Sequence, residues 1–547
     1  MRYGIFLGFI LFIGCRFIQE KADLLVFNAK IYTVDKDFRT AESMVIRNGK
    51  ILAIGNYDSL KNKYSAENIL DAGGRFIYPG FIDSHTHFLD YGFSLNHASL
   101  IGINSWAEIV DSLKRFSKSH PGGWLQGEGW DQNRWKVKEF PNKNALDSLF
   151  PDRPVLLERV DGHASLVNQA ALDAAGIKPG QKYFGGEIET RNGKLTGILL
   201  DRAQRLVKEK IPKPDLNGIQ EALLKAQEKC FAVGLTSVDE CGLAYSLIDP
   251  IKNLDASKKL KMRIYLMLSD APENYSFLFK NGAIKTPALH VCSFKVFADG
   301  ALGSRGACLL EPYSDRPGYH GFLLDSISHY NQIASLIYKA GFQMNTHAIG
   351  DSANRIILQA YSRVLKGKND RRWRIEHAQI VSPVDLHYFG DYSIIPSVQP
   401  THATSDMNWA GTRLGPRRIF TAYAYRQLMN QNGWLALGTD FPVENINPLY
   451  TFYAAVSRKD LQGMPLGGFQ TDNGLSREET LRGMTIWAAK ANFEEKEKGS
   501  LEKGKFADFV IFDQDLMKVA ENEIPTLRVW KTYSGGEKVY EKGPDKK

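Results

Sequence analysis

Along the middle of the chain, short apolar runs recur, each bounded by polar or glycine-containing text and separated by amphipathic stretches. The runs fall at 154–157, 236–239, 262–267, 292–298, 343–346, 373–376, 394–398 and 434–438. Their length suits strands buried on both faces. Helical spacing of apolar positions marks 218–233, 328–340, 351–365 and 417–430. Buried strands alternating with helices over roughly 400 residues predict an α/β fold, a (β/α)8 TIM-like barrel, with chemistry at the carboxyl ends of its strands.

The two ends of the chain are patterned differently. Residues 23–35 (DLLVFNAKIYTVD) and 42–55 (ESMVIRNGKILAIG) read as strands, with Asn48-Gly49 marking a hairpin. Further short strands are expected at 69–77, 506–512, 527–533 and 537–540. Neither end can bury a core alone, so both are expected to join in one discontinuous β-sandwich domain. The expected organisation is 1–21 as signal and linker, 22–79 and 499–547 as the two parts of the sandwich, and 80–498 as the barrel. Residues 103–230 are too long for one crossover and are read as an insertion roofing the barrel.

Composition narrows the class. The 547 residues are 43% hydrophobic, as expected of a large folded protein, and 69 basic against 61 acidic residues give a net charge of only +8. No long Lys/Arg run stands out, which excludes a nucleic-acid-binding reading. Residues 4–14 (GIFLGFILFIG) follow Arg2, are short for a membrane span and match the apolar region of a signal peptide. With Gly14-Cys15 after them they resemble a bacterial lipoprotein signal, although Phe12 stands where that pattern prefers Leu. The resemblance implies a lipidated Cys15 and an extracytoplasmic body, periplasmic or attached to the outer membrane. Cys230, Cys241, Cys292 and Cys308 form no close pair; free thiols are expected, with a Cys230–Cys241 bridge as the alternative.

The candidate chemistry lies where apolar runs end. In FIYPGFIDSHTH (76–87), His85 and His87 are two apart, so a strand presents both imidazoles on one side. Such a pair suits a borderline-soft divalent metal. His347 ends QMNTH, His377 ends WRIEH and Asp440 ends LALGTD. Lys295 sits inside VCSFKVFAD, where a buried ammonium is costly. It could pair with Asp299, or carry carbon dioxide as a carbamate bridging two ions. Zinc suits these ligands, although Fe, Co, Ni or Mn would be accepted. The expected mechanism is attack by a metal-activated hydroxide on a carbonyl, with Asp440 carrying the proton to the leaving group. No GxSxG elbow is present.

Secondary candidates for substrate contact are Trp130 with Asp131, His163, Arg305 and His402, the last beside Gln399. Packing is the alternative for Trp130, and a local acid for Arg305. Glu376 should point away from His377 on a regular strand and so be structural, and Asp201 is a weaker candidate after GILL.

Taken in order, PGFIDSHTH, FKVFADGALGSR (294–305), THAIGD (346–351), RIEHAQ (374–379), LGTDFP (437–442) and KGKFADFVIFD (503–513) resemble the amidohydrolase superfamily. More narrowly, they resemble its type-three branch, which includes N-substituted formamide deformylases. The resemblance implies a metal-dependent barrel acting on C–N bonds of amides, N-formyl groups or cyclic amides. It implies His85, His87, His347 and His377 as ligands, Lys295 as a possible N6-carboxylated bridge, and Asp440 as ligand and acid–base; Lys295 and His377 join Asp440 as catalytic candidates. One or two divalent ions are expected, zinc first. Two alternatives stand beside this: an esterase or lactonase using the same site, and a non-catalytic metal- or solute-binding lipoprotein. A small-molecule substrate and a homodimer complete the expectations.

Overall fold

Eight parallel strands organise the chain: β1 (Phe81–Thr86), β2 (Leu235–Leu243), β3 (Arg263–Ser269), β4 (Leu289–Phe297), β5 (Gln343–Ala348), β6 (Arg374–His377), β7 (Ile395–Val398) and β8 (Ala436–Leu437). They pair in sequence order, each parallel to the next. A parallel bridge between Thr86 and Phe441 closes the ring between β8 and β1, reinforced by Asp440 N donating to His85 O at 2.8 Å. In this computed structural model the described residues are 19–212 and 214–543; the apolar leader and Cys15 lie outside them.

Helices such as Asp351–Leu365 and Ile327–Ala340 pack outside, and the apolar outer faces of the strands bury against them in one large core. The interior of the ring carries polar groups beside a small buried cluster of Cys241, Tyr265 and Met267. At its base Arg374 holds Asp239 at 2.8 Å and also bonds Asn492. Higher up lie His85, Lys295 and Glu376, all buried. No helix among the described residues is long and apolar enough to cross a membrane.

The chain ends share one eight-stranded sheet, in which Phe509–Phe512 pairs antiparallel with Tyr64–Pro79. Where a sandwich was expected, strand pairing gives this single sheet. It curls back on itself: Ile51 N donates to Lys505 O at 2.9 Å, bringing the Lys50–Gly55 edge to the segment before Phe509. The expected hairpin is present, with Asn48 and Gly49 at φ 53° and 73°.

Between β1 and β2 a second, six-stranded sheet forms a lid, built from Ala98–Ser99 through Lys194–Asp201. Its core of Leu125, Trp130, Trp135, Leu157 and Ile198 is its own. The expected insertion limits therefore move. Lid pairing begins at Ala98, and the helix Leu216–Ala232 belongs to the barrel, where Ala222, Leu223 and Ala226 join the main core. The run at 154–157 is a lid strand for the same reason. The helix expected at 417–430 is broken: Ala422 bridges to Ile380 and Tyr423 N donates to Gln379 O, pulling the backbone out of helical geometry. The cysteines 230, 241, 292 and 308 are free thiols.

Candidate active site

The carboxyl ends of the strands open into a cavity of about 690 Å³ between barrel and lid. At its floor His85 is fully buried, with Nδ1 2.6 Å from Glu376 Oε2. A carboxylate only accepts, so Nδ1 carries the proton and Nε2 presents its lone pair to the cavity. Lys295 Nζ is 2.9 Å from that Nε2, and Asp440 Oδ1 is 3.6 Å from it. His87 Nε2 stands 3.4 Å from Asp440 Oδ1, and His377 Nδ1 4.0 Å from Asp440 Oδ2. The His377 ring lies 4.7 Å from that of His85 and 4.5 Å from that of His347. The six residues named from the strand ends thus come together.

Strand register explains the convergence. His347 of β5 pairs with Glu376 of β6, and Phe297 of β4 pairs with His347, so Lys295, His347 and Glu376 sit on neighbouring strand ends. Asp83 fastens β1 to the loop after β8, accepting from Thr439 N at 2.9 Å and Thr439 Oγ1 at 2.7 Å. That clasp sets Asp440 opposite His85.

Electrostatics prepare most of these groups as ligands; His87 is the exception, since burial lowers its proton affinity but Asp440 outweighs that and raises it. Burial, with the adjacent Lys295, holds His85 well below the ordinary imidazole range. Burial and the neighbouring imidazole do the same for His377 and His347. Burial opposes ionisation of Asp440, but His85, His402 and His87 outweigh it and hold the carboxyl well below its usual value. Neutral imidazoles and an ionised carboxylate are the donor states a divalent ion requires. His85, His377 and Asp440 offer ligand atoms all within 4.8 Å of one another. His347 Nε2, His377 Nδ1 and Asp440 Oδ1 are buried without a hydrogen-bond partner among the described residues. Orphaned donors of this kind fit a bound metal ion.

Two candidates lie elsewhere. Trp130 is 1% exposed inside the lid core, its indole N–H donating to Leu157 O at 2.8 Å, because its strand turns that side chain toward Trp135 and Phe140. Arg305 is away from the cavity lining, forked onto Asp315 at 3.2 and 2.8 Å. Asp299 is not the partner of Lys295: it accepts from the backbone N–H groups of Cys308, Ile349 and Gly350. His163 and His402 do line the cavity. His163 Nδ1 meets Asp201 at 2.8 Å, and His402 spans Asp440 and Glu444 at 3.2 Å each. Asp131 lines it too, tied to Arg159 at 2.5 Å.

Glu376 is the main correction. A regular strand would turn it away from His377, yet both contact His85. His377 and Ala378 have φ of 71° and 41°, so the strand breaks there and its alternation with it. A closed parallel barrel with imidazoles, a lysine and an aspartate at its strand ends is the architecture of metal-dependent hydrolases. The chain belongs to the amidohydrolase family, whose pattern matches residues 68–540, and is an enzyme. It is 33% identical to the Arabidopsis thaliana protein LONG AFTER FAR-RED 3, over 95% of this chain and 92% of that one. It is 27% identical to an N-substituted formamide deformylase from Arthrobacter pascens, over 96% and 99% of the two chains. An uncharacterized metal-dependent hydrolase from Pyrococcus horikoshii superposes with a TM-score of 0.77 at 27% identity, covering 91% of this chain and 99% of its own.

Proposed function

We propose that the protein hydrolyses a C–N bond next to a carbonyl, in an amide, N-formyl group or cyclic amide, with zinc as the resident ion. The observation that carries this reading is the set of buried, unpartnered ligand atoms of His347, His377 and Asp440 gathered beside His85 under a substrate-sized cavity. His85, His87, His347, His377 and Asp440 would hold one or two ions. A divalent ion there supplies Lewis acidity, polarising the carbonyl and acidifying water.

The remaining work falls to side chains. Asp440 takes the proton of the attacking water and delivers it to the departing nitrogen, so the C–N bond breaks to an amine and not an amide anion. Glu376 holds the His85 tautomer. His163 is anchored by Asp201; burial lowers its proton affinity but Asp201 and Asp161 raise it further, so it stays a donor toward the developing oxyanion. Lys295 has no carboxylate within ion-pair distance among the described residues and meets only His85 and the Phe297 ring. A neutral Lys295 amine adding carbon dioxide and releasing a proton becomes an anion that suits a nest of imidazoles. We include this carbamate in the proposal.

The test combines metal analysis with matched N-formyl amines, acetamides, cyclic amides and esters. Chelation should abolish turnover and zinc restore it, with amides favoured over esters. Asp440→Asn should lower kcat by about 10²–10⁴-fold while the protein still binds zinc. Full turnover in the chelated protein, or in that variant, would sink the proposal.

A further inference from the structure

The cavity above the centre is unevenly charged. Where lid meets barrel, Asp131, Asp406 and Glu444 all line it. Asp406 is pushed up to about 7, first by burial, with Glu444 and Asp131 adding like charge that His402 and Tyr423 only partly offset. These three carboxylates therefore share one space, although they come from the lid, the helix Pro400–Asp406 and the loop after β8.

Their partners differ. Asp131 is neutralised by Arg159, whose other terminal nitrogen holds Asp161 at 2.5 Å, so the single charge of this arginine already faces two carboxylates. Among the described residues the Asp406 carboxylate accepts only from Tyr423 Oη at 2.8 Å and Gln379 Nε2 at 3.4 Å. Glu444 accepts from Ser405 Oγ at 2.6 Å and faces His402 Nδ1 at 3.2 Å. Neither has a Lys or Arg within ion-pair distance among the described residues. Thr401, 8% exposed and on the same lining, has an Oγ1 with no hydrogen-bond partner. Of the other basic groups on the lining, Arg134 is exposed and Lys459 half-buried, so water solvates both.

Glu444 has to share its one ion-pair partner among the described residues, His402, with Asp440, and Asp406 has none in direct contact; a cationic ligand group relieves that excess of carboxylate through charge-assisted hydrogen bonds. We propose that the substrate carries a basic group, an ammonium or guanidinium, remote from the bond that is cut, and that Asp406 and Glu444 receive it with Thr401 Oγ1 as a further acceptor. This deepens the C–N hydrolase reading and rests on it. An anionic tail at the same place would meet two carboxylates and find the charge of Arg159 already paired with Asp131 and Asp161.

Three formamides of matched length test this on the zinc-loaded enzyme: the mono-N-formyl derivative of 1,4-diaminobutane, N-butylformamide and 4-(formylamino)butyrate. The cationic substrate should exceed the neutral one by about tenfold in kcat/KM, a charge-assisted contact's worth, with the anion poorest. Asp406→Asn should erase most of that ratio through KM, and Asp406→Glu should keep it. Equal kcat/KM for all three, or a ratio untouched by both Asp406→Asn and Glu444→Gln, overturns the proposal. If no formamide is cleaved, the hydrolase reading fails for that bond, and calorimetry with 1,4-diaminobutane against 1-butanol still decides the charge preference. Diamine binding weakened by Asp406→Asn supports it, and equal behaviour of the two ligands overturns it.

Discussion

Glu376 and His377 are neighbours in sequence and both touch His85, which a regular strand forbids. The positive φ of His377 is therefore a backbone conformation held for the sake of the site. With the Glu376 carboxylate 2.6 Å from Nδ1, the ring of His85 is fixed in plane and tautomer. Glu376→Gln keeps the shape but removes the charge, and should weaken divalent-metal binding by about 10–100-fold, read by chelator competition, with the circular dichroism spectrum unchanged. Unaltered affinity would reduce Glu376 to a packing role. The His85–His87 pair was legible because a two-residue period survives to the end of β1. Glu376 was not, because that same period misleads where the strand breaks. Trp130 and Arg305 misled for a related reason: their spacing says nothing about Trp135, Phe140 or Asp315, which capture them from elsewhere in the chain.

Among the elements, β8 is the shortest barrel strand, and it is closely fitted to β1. A Cβ on Gly438 would lie 2.6 Å from His85 N and 2.8 Å from Asp83 Oδ1. Gly438→Ala should push the loop bearing Asp440 away from β1, lowering kcat by at least tenfold, on the order expected for a small misplacement of reacting groups. Turnover equal to the parent enzyme would show that the closure has slack. The strands themselves were readable because parallel strands buried on both faces need continuous apolar runs. The helix expected at 417–430 was not, since its break at Ala422 and Tyr423 depends on pairing with Ile380 and Gln379, a contact no local propensity encodes.

At the base of β4, His290 lies 3.3 Å from Glu494, which also holds Lys498 at 2.7 Å. Burial disfavours the charged forms of both, yet Lys498 and His290 bring Glu494 down to about 2, and contacts with Cys292 and Glu494 raise His290 to about 9. The depressed carboxyl contributes stability above the unfolded value near 4.5 and loses it as pH falls through about 2. The raised imidazole contributes below about 6.5 and loses it as pH rises through about 9. Both are fully in force only between those inner limits. Glu494→Gln should therefore lower Tm by several degrees near pH 5.5 and hardly at all near pH 2; a uniform effect across pH would contradict this linkage.

On the scale of the whole molecule, the terminal sheet is part of the barrel's foundation. Val510, Phe512 and Leu516 belong to the same buried cluster as the barrel strands, and Thr532 Oγ1 donates to Phe231 O at 2.7 Å. The joint is closed by Arg263 at the start of β3, which forks onto Asp508 at 2.6 and 2.9 Å. Both side chains are nearly excluded from water, 10% and 6% exposed. Removing one partner of such a pair leaves the other charge stranded, at a cost of about 3–5 kcal/mol. Asp508→Ala should destabilise the protein by that order, and barrel and terminal sheet should melt together, since the apolar surface between them is continuous. Thermal unfolding followed both by tryptophan fluorescence and by release of bound divalent metal checks this. Coincident transitions at a lowered Tm are expected, whereas early loss of the sheet with metal retained would mean that the barrel holds its site without the chain ends.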